Sequence, residues 1–497
     1  NPHQPRPMAG QPHLKGAVAK TLKWNVIDRV ATQLLFAVTG VVLANTLTKE
    51  DFGLVEAVLV FQAFAQLFID SGFASALLQR KSPTDLDYSS VLWFNLGIAA
   101  AFYIILFAAA PWIADIFQGD ARIVPLSRVM FISFIINAAA IVQTNRFMKK
   151  MDVRMVTVSN SAGLFAGACA GIYLALGGFG AWAIVWQTIV SGAVRTLLLW
   201  RASRWRPMMK FSWSVIRGFF SVGSGVMVTS LLNTIFQNIS SLLIGNRASL
   251  GILGYYGQAN KWSKMGVMSI SQTLTSSFLP LLSEVQDDPG RYRRICGKTH
   301  RFTSYLTFPA LTLLTAMAPA IFHTLFGDKW DSSVPLFQLL CVRGIFLVLS
   351  LQYSNYLLSL GRSRLLVVCE AVRDGAALAA IAATFGSLSD GIRGIEIFLW
   401  GQLAAGVLTW GVSLWFVVRE TGRRTLDWAA DMAPYAGISL VSVIPCLWIQ
   451  RLGLAPLAEC AAMGAAFAAI YIGTNALLHS TVQKDVMGYI SGRGVQE

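Results

Sequence analysis

The sequence predicts an all-α polytopic membrane protein, and three observations predict it. Apolar residues make up 55% of the 497-residue chain and charged residues only 13%, against roughly a quarter charged in a soluble domain. Apolar stretches of roughly 20 residues recur from Thr21 to Leu478, each long enough to cross about 30 Å of hydrocarbon. Lysine and arginine fall on alternate connectors, the signature of a chain threaded back and forth through a bilayer.

The spans are placed near residues 21–46, 53–77, 89–117, 125–147, 155–177, 181–200, 214–244, 252–282, 302–322, 333–358, 365–385, 394–418, 428–450 and 455–478. That is about 14 helices, with both termini on one side. The connectors justify the order. One set holds Arg80/Lys81, the Arg146–Arg154 group, the Arg201–Arg217 group, the Arg291–Arg301 group, Arg362/Arg364 and Arg419/Arg423/Arg424. The other holds only Lys49, Arg122, Arg247, Lys329, Arg393 and Arg451. With both tails counted the split is roughly 27 to 6, which puts both termini in the cytoplasm.

The connectors on the opposite side are short: Lys49–Phe52, Gly177–Ala181, Gly245–Gly251 and Gly327–Ser333. No connector is of domain size, so there is no room for a soluble catalytic domain. The longest cytoplasmic connector is expected at Ser283–Arg301, and a second basic one at 201–217.

The net charge of +15 would point to nucleic acid in a soluble protein. Here the charge sits on connectors, so no nucleic-acid partner is expected. The six cysteines, Cys169, Cys296, Cys341, Cys369, Cys446 and Cys460, are scattered through apolar segments with no CxxC or other metal-ligand spacing. They read as small packing residues, and neither metal nor cofactor is expected. The first apolar stretch is too long and too charged for a cleavable signal peptide. Residues 1–16 read as a disordered tail, and the absence of Met at position 1 suggests a trimmed start with Met8 as an in-frame alternative.

A faint internal repeat relates Leu47-Thr48-Lys49-Glu50-Asp51-Phe52-Gly53-Leu54 to Ala248-Ser249-Leu250-Gly251-Ile252-Leu253-Gly254-Tyr255. Either the short loops match by chance or the chain holds two parallel six-helix halves. The second reading divides it into 17–210, 211–420, a helix pair at 421–480 and a tail at 481–497. Duplicated halves around a midplane site are a transporter signature.

Several connector motifs carry a family resemblance. They are Leu22-Lys23-Trp24 with Asp28-Arg29, Glu50-Asp51-Phe52-Gly53-Leu54, Ile69-Asp70-Ser71-Gly72-Phe73 and Tyr88-Ser89-Ser90. They continue with Gly178-Phe179-Gly180-Ala181-Trp182, Arg204-Trp205-Arg206-Pro207, Leu253-Gly254-Tyr255-Tyr256 through Ala259-Asn260, and Leu279-Pro280 to Ser283. Gln286-Asp287-Asp288-Pro289, Gly327-Asp328-Lys329-Trp330 and Gly361-Arg362-Ser363 complete the series. In this order, across nearly the whole chain, they resemble the WzxC-like polysaccharide exporters of the multidrug/oligosaccharidyl-lipid/polysaccharide flippase (MOP) superfamily. The resemblance implies two six-helix lobes around a central cavity and alternating access. It implies a cargo of oligosaccharide on undecaprenyl diphosphate, moved from the inner to the outer leaflet of a bacterial inner membrane for exopolysaccharide or lipopolysaccharide synthesis. The implied partners are that lipid-linked oligosaccharide, membrane lipids, and a polymerase and chain-length regulator of the same pathway.

Charges inside the spans are costly and need a partner or a water-filled cavity. Arg29, Lys261, Lys264 and Arg343 are the candidates for a diphosphate, whose roughly two negative charges cannot shed water uncompensated. Lys261 and Lys264 lie on one helical face with no acid near them in their own span. Amides and aromatics suited to sugars recur in the expected cavity-lining spans: Asn233, Gln237, Gln258, Asn260, Tyr255, Tyr256 and Trp262. Further polar residues there include Gln62 and Gln66. Glu56, Asp70, Glu370, Arg373 and Asp374 are candidates for coupling or gating. The competing reading of Glu370, Arg373 and Asp374 is mutual neutralisation.

Two other functions compete. A cation-coupled multidrug exporter would favour carboxylates over lysines in the cavity. A membrane glycan polymerase or ligase would need an outward catalytic group, yet the sequence has no paired carboxylates, HExxH, GxSxG or large outer loop. An inside-negative potential would drive a dianionic headgroup outward by about 4–5 kcal/mol per 100 mV, so no obligatory ion antiport is expected.

Overall fold

The computed structural model describes residues 31–70, 77 and 80–490, and these are helical with short connections and no strand. The helices are α1 (Ala31–Thr46), α2 (Lys49–Asp70), α3 (Asp85–Ile116), α4 (Ile123–Met130), α5 (Ser133–Lys149), α6 (Val153–Leu176), α7 (Trp182–Ser203) and α8 (Trp213–Arg247). They continue as α9 (Leu250–Glu284), α10 (Pro289–Leu325), α11 (Val334–Ser359), α12 (Ser363–Thr384), α13 (Gly391–Thr421), α14 (Thr425–Val441), α15 (Val443–Gln450), α16 (Pro456–Leu477) and α17 (Thr481–Ile490). Among the described residues, 10 helical segments are long and apolar enough to cross a membrane, α4 with α5 and α14 with α15 each counting as one. The chain is therefore a multi-pass membrane protein. α12 falls outside that set because Glu370, Arg373 and Asp374 interrupt it, and α9 because Gln272 and its Ser and Thr residues dilute the apolar stretch that follows Lys261 and Lys264. The N-terminal part of the first expected span, with Asp28 and Arg29, lies outside the described residues.

Two boundaries differ from expectation. The basic stretch at 289–301 is the start of α10, not a connector, so the loop expected at Ser283–Arg301 shrinks to a few residues. The Asp288 carboxylate caps the helix by accepting from the N–H groups of Gly290 (2.9 Å) and Arg291 (3.0 Å), and Pro289 presets the first turn. Those two N–H bonds hold the Asp288 carboxyl below its ordinary range. The expected span at 428–450 is interrupted at Ser442, where Pro445 has no N–H to offer the preceding turn.

The chain forms two compact units, Asn1–Gly254 and Tyr255–Glu497. In the first, α6 and α7 make the tightest helix pair. Gly163, Gly167 and Gly171 recur every fourth residue of α6, and a methyl group on Gly163 or Gly167 would sit 2.6 Å from the carbonyl oxygen of Ser191 or Gln187 on α7. A small-residue stripe lets two backbones meet where lipid supplies no hydrophobic drive. α2 and α5 are joined by amides: Gln62 Nε2 donates to Ser133 Oγ (3.2 Å) and Asn137 Nδ2 to Gln66 Oε1 (3.5 Å). Gln62 and Gln66 thus join α2 to α5, and both remain partly exposed.

The segment between α7 and α8 is tied down by side chains of α3. Ser89 Oγ accepts from Met208 N–H (2.9 Å), Ser90 Oγ from Ser212 N–H (3.1 Å), and Asp85 from the Trp205 indole (3.0 Å). The Arg146 guanidinium covers both the Tyr88 and Trp205 rings at 4.8 Å. Two motifs far apart in sequence, Tyr88-Ser89-Ser90 and Arg204-Trp205-Arg206-Pro207, are thus the two halves of one strap.

In the second unit α10 is the mast, flanked by α11, α14 and α16. Its N-terminal half holds a buried polar cluster. Tyr292 donates to the Tyr356 carbonyl (2.8 Å), and Asp431 pairs with Arg301 (2.9 Å) and Arg423 (2.5 Å). Towards the other end Ala316, Ala320, Ile438, Met463, Phe467 and Tyr471 form an apolar core with α14 and α16. Four cysteines are buried, Cys460 is half-buried and Cys169 is exposed; all are free thiols.

Candidate translocation site

Most helices expose what a lipid-facing surface requires. α7 presents Trp186 and Leu197, α13 presents Trp400, Leu408 and Trp415, and α16 presents Leu457, Ile472 and Leu477. α9 does the opposite. Its buried face, with Val267, Ser271 and Leu274, packs on Leu311 of α10 and Ile345, Val348 and Leu349 of α11. Its exposed face reads Lys264, Met268, Gln272, Thr273, Ser276 and Ser277, a polar stripe at helical spacing. Thr273, Ser276 and Ser277 each turn a hydroxyl back to a backbone carbonyl within one turn. Such a stripe fits a water-filled passage and not hydrocarbon.

Lys261 is half-buried beside the stripe, with Nζ 5.5 Å from the Trp262 ring centre. Trp262 is held in place: its indole N–H donates to Gln258 Oε1 (3.0 Å) and its ring lies 5.2 Å from that of Phe326. Gln258 is 3% exposed. Asn260 is half-buried on the same helix. Tyr255 meets Trp330 edge-on at 5.8 Å, and its carbonyl accepts from Ser333 Oγ at 3.0 Å, so it anchors the start of α9. In the first unit, Asn233 and Gln237 lie one turn apart on α8 and are both exposed.

Arg343 of α11 is half-buried, its stem against Gly406 of α13 at 3.8 Å from a methyl built there. The titratable groups acting on it are Tyr256, which is buried, and a second cation, Arg373. Among the described residues no carboxylate pairs with it.

The remaining candidates occupy structural settings. Glu56 accepts from Ser241 Oγ (2.9 Å) and joins α2 to α8. Arg373 bridges Glu370 and Asp374, the latter at 3.0 Å. Arg29 and the Asp70 side chain lie outside the described residues. Sequence reasoning passed over Gln272, Thr273 and Ser276, which extend the Lys264 face. The signal was present as a four-residue spacing, but hydroxyls in an otherwise apolar run attract no notice. It also passed over Arg195 on α7, packed against Gly163 of α6.

The comparisons with known proteins agree with this architecture. Residues 42–335 match the family model described as a polysaccharide biosynthesis protein. The lipopolysaccharide biosynthesis protein WzxC of Escherichia coli (strain K12) is 24% identical over 429 residues, covering 86% of this chain and 83% of WzxC. The succinoglycan biosynthesis transport protein ExoT of Rhizobium meliloti (strain 1021) is 26% identical over 402 residues, covering 81% and 80%. In fold, the chain is similar to the lipid II flippase MurJ in an inward closed conformation, with a TM-score of 0.71 at 12% identity, covering 93% of this chain and 100% of MurJ. The resemblance carried by the loop motifs is borne out, and the chain belongs to the polysaccharide biosynthesis protein family of membrane transporters.

Proposed function

We propose that this protein moves undecaprenyl-diphosphate-linked oligosaccharide from the inner to the outer leaflet of a bacterial inner membrane by alternating access, with both termini in the cytoplasm. The observation that carries the reading is the exposed polar face of α9, with Lys264 on it and Lys261 at its edge. Lipid cannot solvate that face, and a hydrated anionic headgroup can. In this reading Lys261, Lys264, Arg29 and Arg343 hold the diphosphate. Asn233, Gln237, Gln258, Asn260, Tyr255, Tyr256 and Trp262 line the path of the sugars, and Glu56, Asp70, Glu370, Arg373 and Asp374 serve gating or coupling. The isoprenoid tail stays in lipid. A relative named as a transport protein of succinoglycan biosynthesis and a fold neighbour named as a lipid II flippase support the cargo class. A polymerase and a chain-length regulator would take the product on the outer face.

Replacing Lys261 and Lys264 with Ala, and scoring surface glycan against drug resistance in the same strain, tests the reading. Loss of glycan export with unchanged drug resistance supports it. Undiminished export removes the two lysines from the site, and loss of drug resistance alone transfers the protein to the multidrug class.

A further inference from the structure

Hydroxyls inside helices commonly donate to the backbone carbonyl one turn back. On α10, Thr299 and Thr315 do so, to Ile295 (2.9 Å) and Leu311 (2.7 Å). Thr303, Ser304 and Thr307 do not. All three are 0% exposed, and their oxygens have no hydrogen-bond partner among the described residues. With His300, also fully buried, they fall at i, i+3, i+4 and i+7, one continuous face of the helix. A buried hydroxyl left without a partner costs about 1–3 kcal/mol, so three together call for a partner from outside the fold.

The groups beside this face have the same need. The His300 ring stands edge-on to Trp428 at 4.9 Å and lies 5.6 Å from the Tyr353 ring. The Trp428 indole nitrogen, Arg423 Nη1 and Arg301 Nε are buried, and none of them donates to a described residue. All three are donors only. Asp431 is already engaged by both guanidiniums, so Arg301, Arg423 and Asp431 together keep one net positive charge. Water would bring as many donors as acceptors to this cluster. An anion brings acceptors alone, with the missing negative charge, whereas the two arginines repel a cation.

We propose that the α10 face from His300 to Thr307, closed by Trp428 and the Arg301–Asp431–Arg423 cluster, is a site for one small monovalent anion of the halide class. The ion is a fixed counter-charge that lets two arginines pack beside a single aspartate. α10 has 37 residues, about 55 Å against about 30 Å of hydrocarbon. Its arginine-rich first turns therefore stand outside the hydrocarbon, and Arg301, 33% exposed, gives the ion a way in. The site goes beyond the transport reading and does not depend on the cargo.

The test uses the full-length protein in detergent, with sodium chloride exchanged for sodium gluconate at constant ionic strength. Binding of radiolabelled chloride should saturate, and the melting temperature should rise along the same curve. Thr303→Val/Ser304→Ala should weaken binding at least about tenfold. In gluconate this variant should melt no lower than wild type, because its two hydroxyls have no partner in the protein to lose. Trp428→Phe removes a different donor and should weaken binding in the same direction, so the test survives a double variant that does not fold. Water alone at the site predicts neither saturable binding nor chloride-dependent melting, and the absence of either overturns the proposal. Wild-type affinity in Thr303→Val/Ser304→Ala or, where that variant does not fold, in Trp428→Phe also overturns it. So does a double variant that melts well below wild type in gluconate, which would show that the hydroxyls have protein partners.

Discussion

Asp431 on α14 is the sole carboxylate facing two guanidiniums in the described part of the second unit, at 2.9 Å from Arg301 and 2.5 Å from Arg423. Its side chain is 9% exposed, against 15% for Arg423 and 33% for Arg301. Asp431→Asn keeps the shape and removes the charge, leaving two arginines to repel each other in a setting with little water. Breaking a buried pair costs about 3–5 kcal/mol. Arg301 regains part of its hydration, which lowers the expected cost to about 2–4 kcal/mol. At about 2–4 °C per kcal/mol for a unit of this size, the apparent melting temperature in detergent should fall by roughly 5–15 °C. Arg423→Gln in the Asp431→Asn background should recover part of the loss, since it removes one of the two repelling charges. A fluorescence-monitored thermal ramp read by size-exclusion chromatography measures both. An Asp431→Asn protein melting within about 2 °C of wild type would refute the assignment of this triad as the clamp between α10, α14 and the connector that precedes α14.

Other outcomes follow from particular contacts. Gly167→Leu on α6 must displace α7 from the Gln187 carbonyl, and should lower detergent thermostability by the equivalent of about 2–3 kcal/mol or more; Gly97→Leu, with open space around it, should not. Trp205→Ala removes the indole held by Asp85 and the ring under Arg146; limited proteolysis should then cut between α7 and α8 faster than in wild type. Asp120 is held below the ordinary carboxylate range chiefly by the hydrogen bond from the Arg122 side chain, with a backbone N–H bond and the Arg122 charge adding to it. A depressed carboxylate stabilises the fold above its unfolded pKa and loses that contribution as pH falls through its folded value. Asp120→Asn should therefore cost at most about 1 kcal/mol near neutrality, because Arg122 is largely exposed. The difference in melting temperature from wild type should shrink as pH falls below the ordinary carboxylate range.

The positions of the spans were legible because a bilayer enforces apolar length, a constraint that one sequence carries in full. The start of α10 was not, since Arg291, Arg293 and Arg294 look like a loop until Asp288 and Pro289 are recognised as its cap. Lys261 and Lys264 were legible as charges out of place. Their exposure was not, because periodicity tells which residues share a face but not which face is covered. Glu56 and Gln62 illustrate the converse: one reads as a gating candidate and the other as a cavity-lining amide, and their partners Ser241 and Ser133 lie 185 and 71 residues away in the chain, respectively.

The central claim is that the polar face of α9 carries an anionic, lipid-linked sugar across the bilayer. The most direct measurement uses purified protein in liposomes holding a fluorescent undecaprenyl-diphosphate oligosaccharide, with an impermeant glycosidase reporting which leaflet the sugar occupies. The membrane potential is clamped and no proton or sodium gradient is applied. Wild type should equilibrate or drive the lipid to the positive side, and Lys261→Ala/Lys264→Ala, folded by the thermal criterion above, should slow it at least about tenfold. Transfer by the double variant at the wild-type rate, or no transfer by the wild type, would contradict the account.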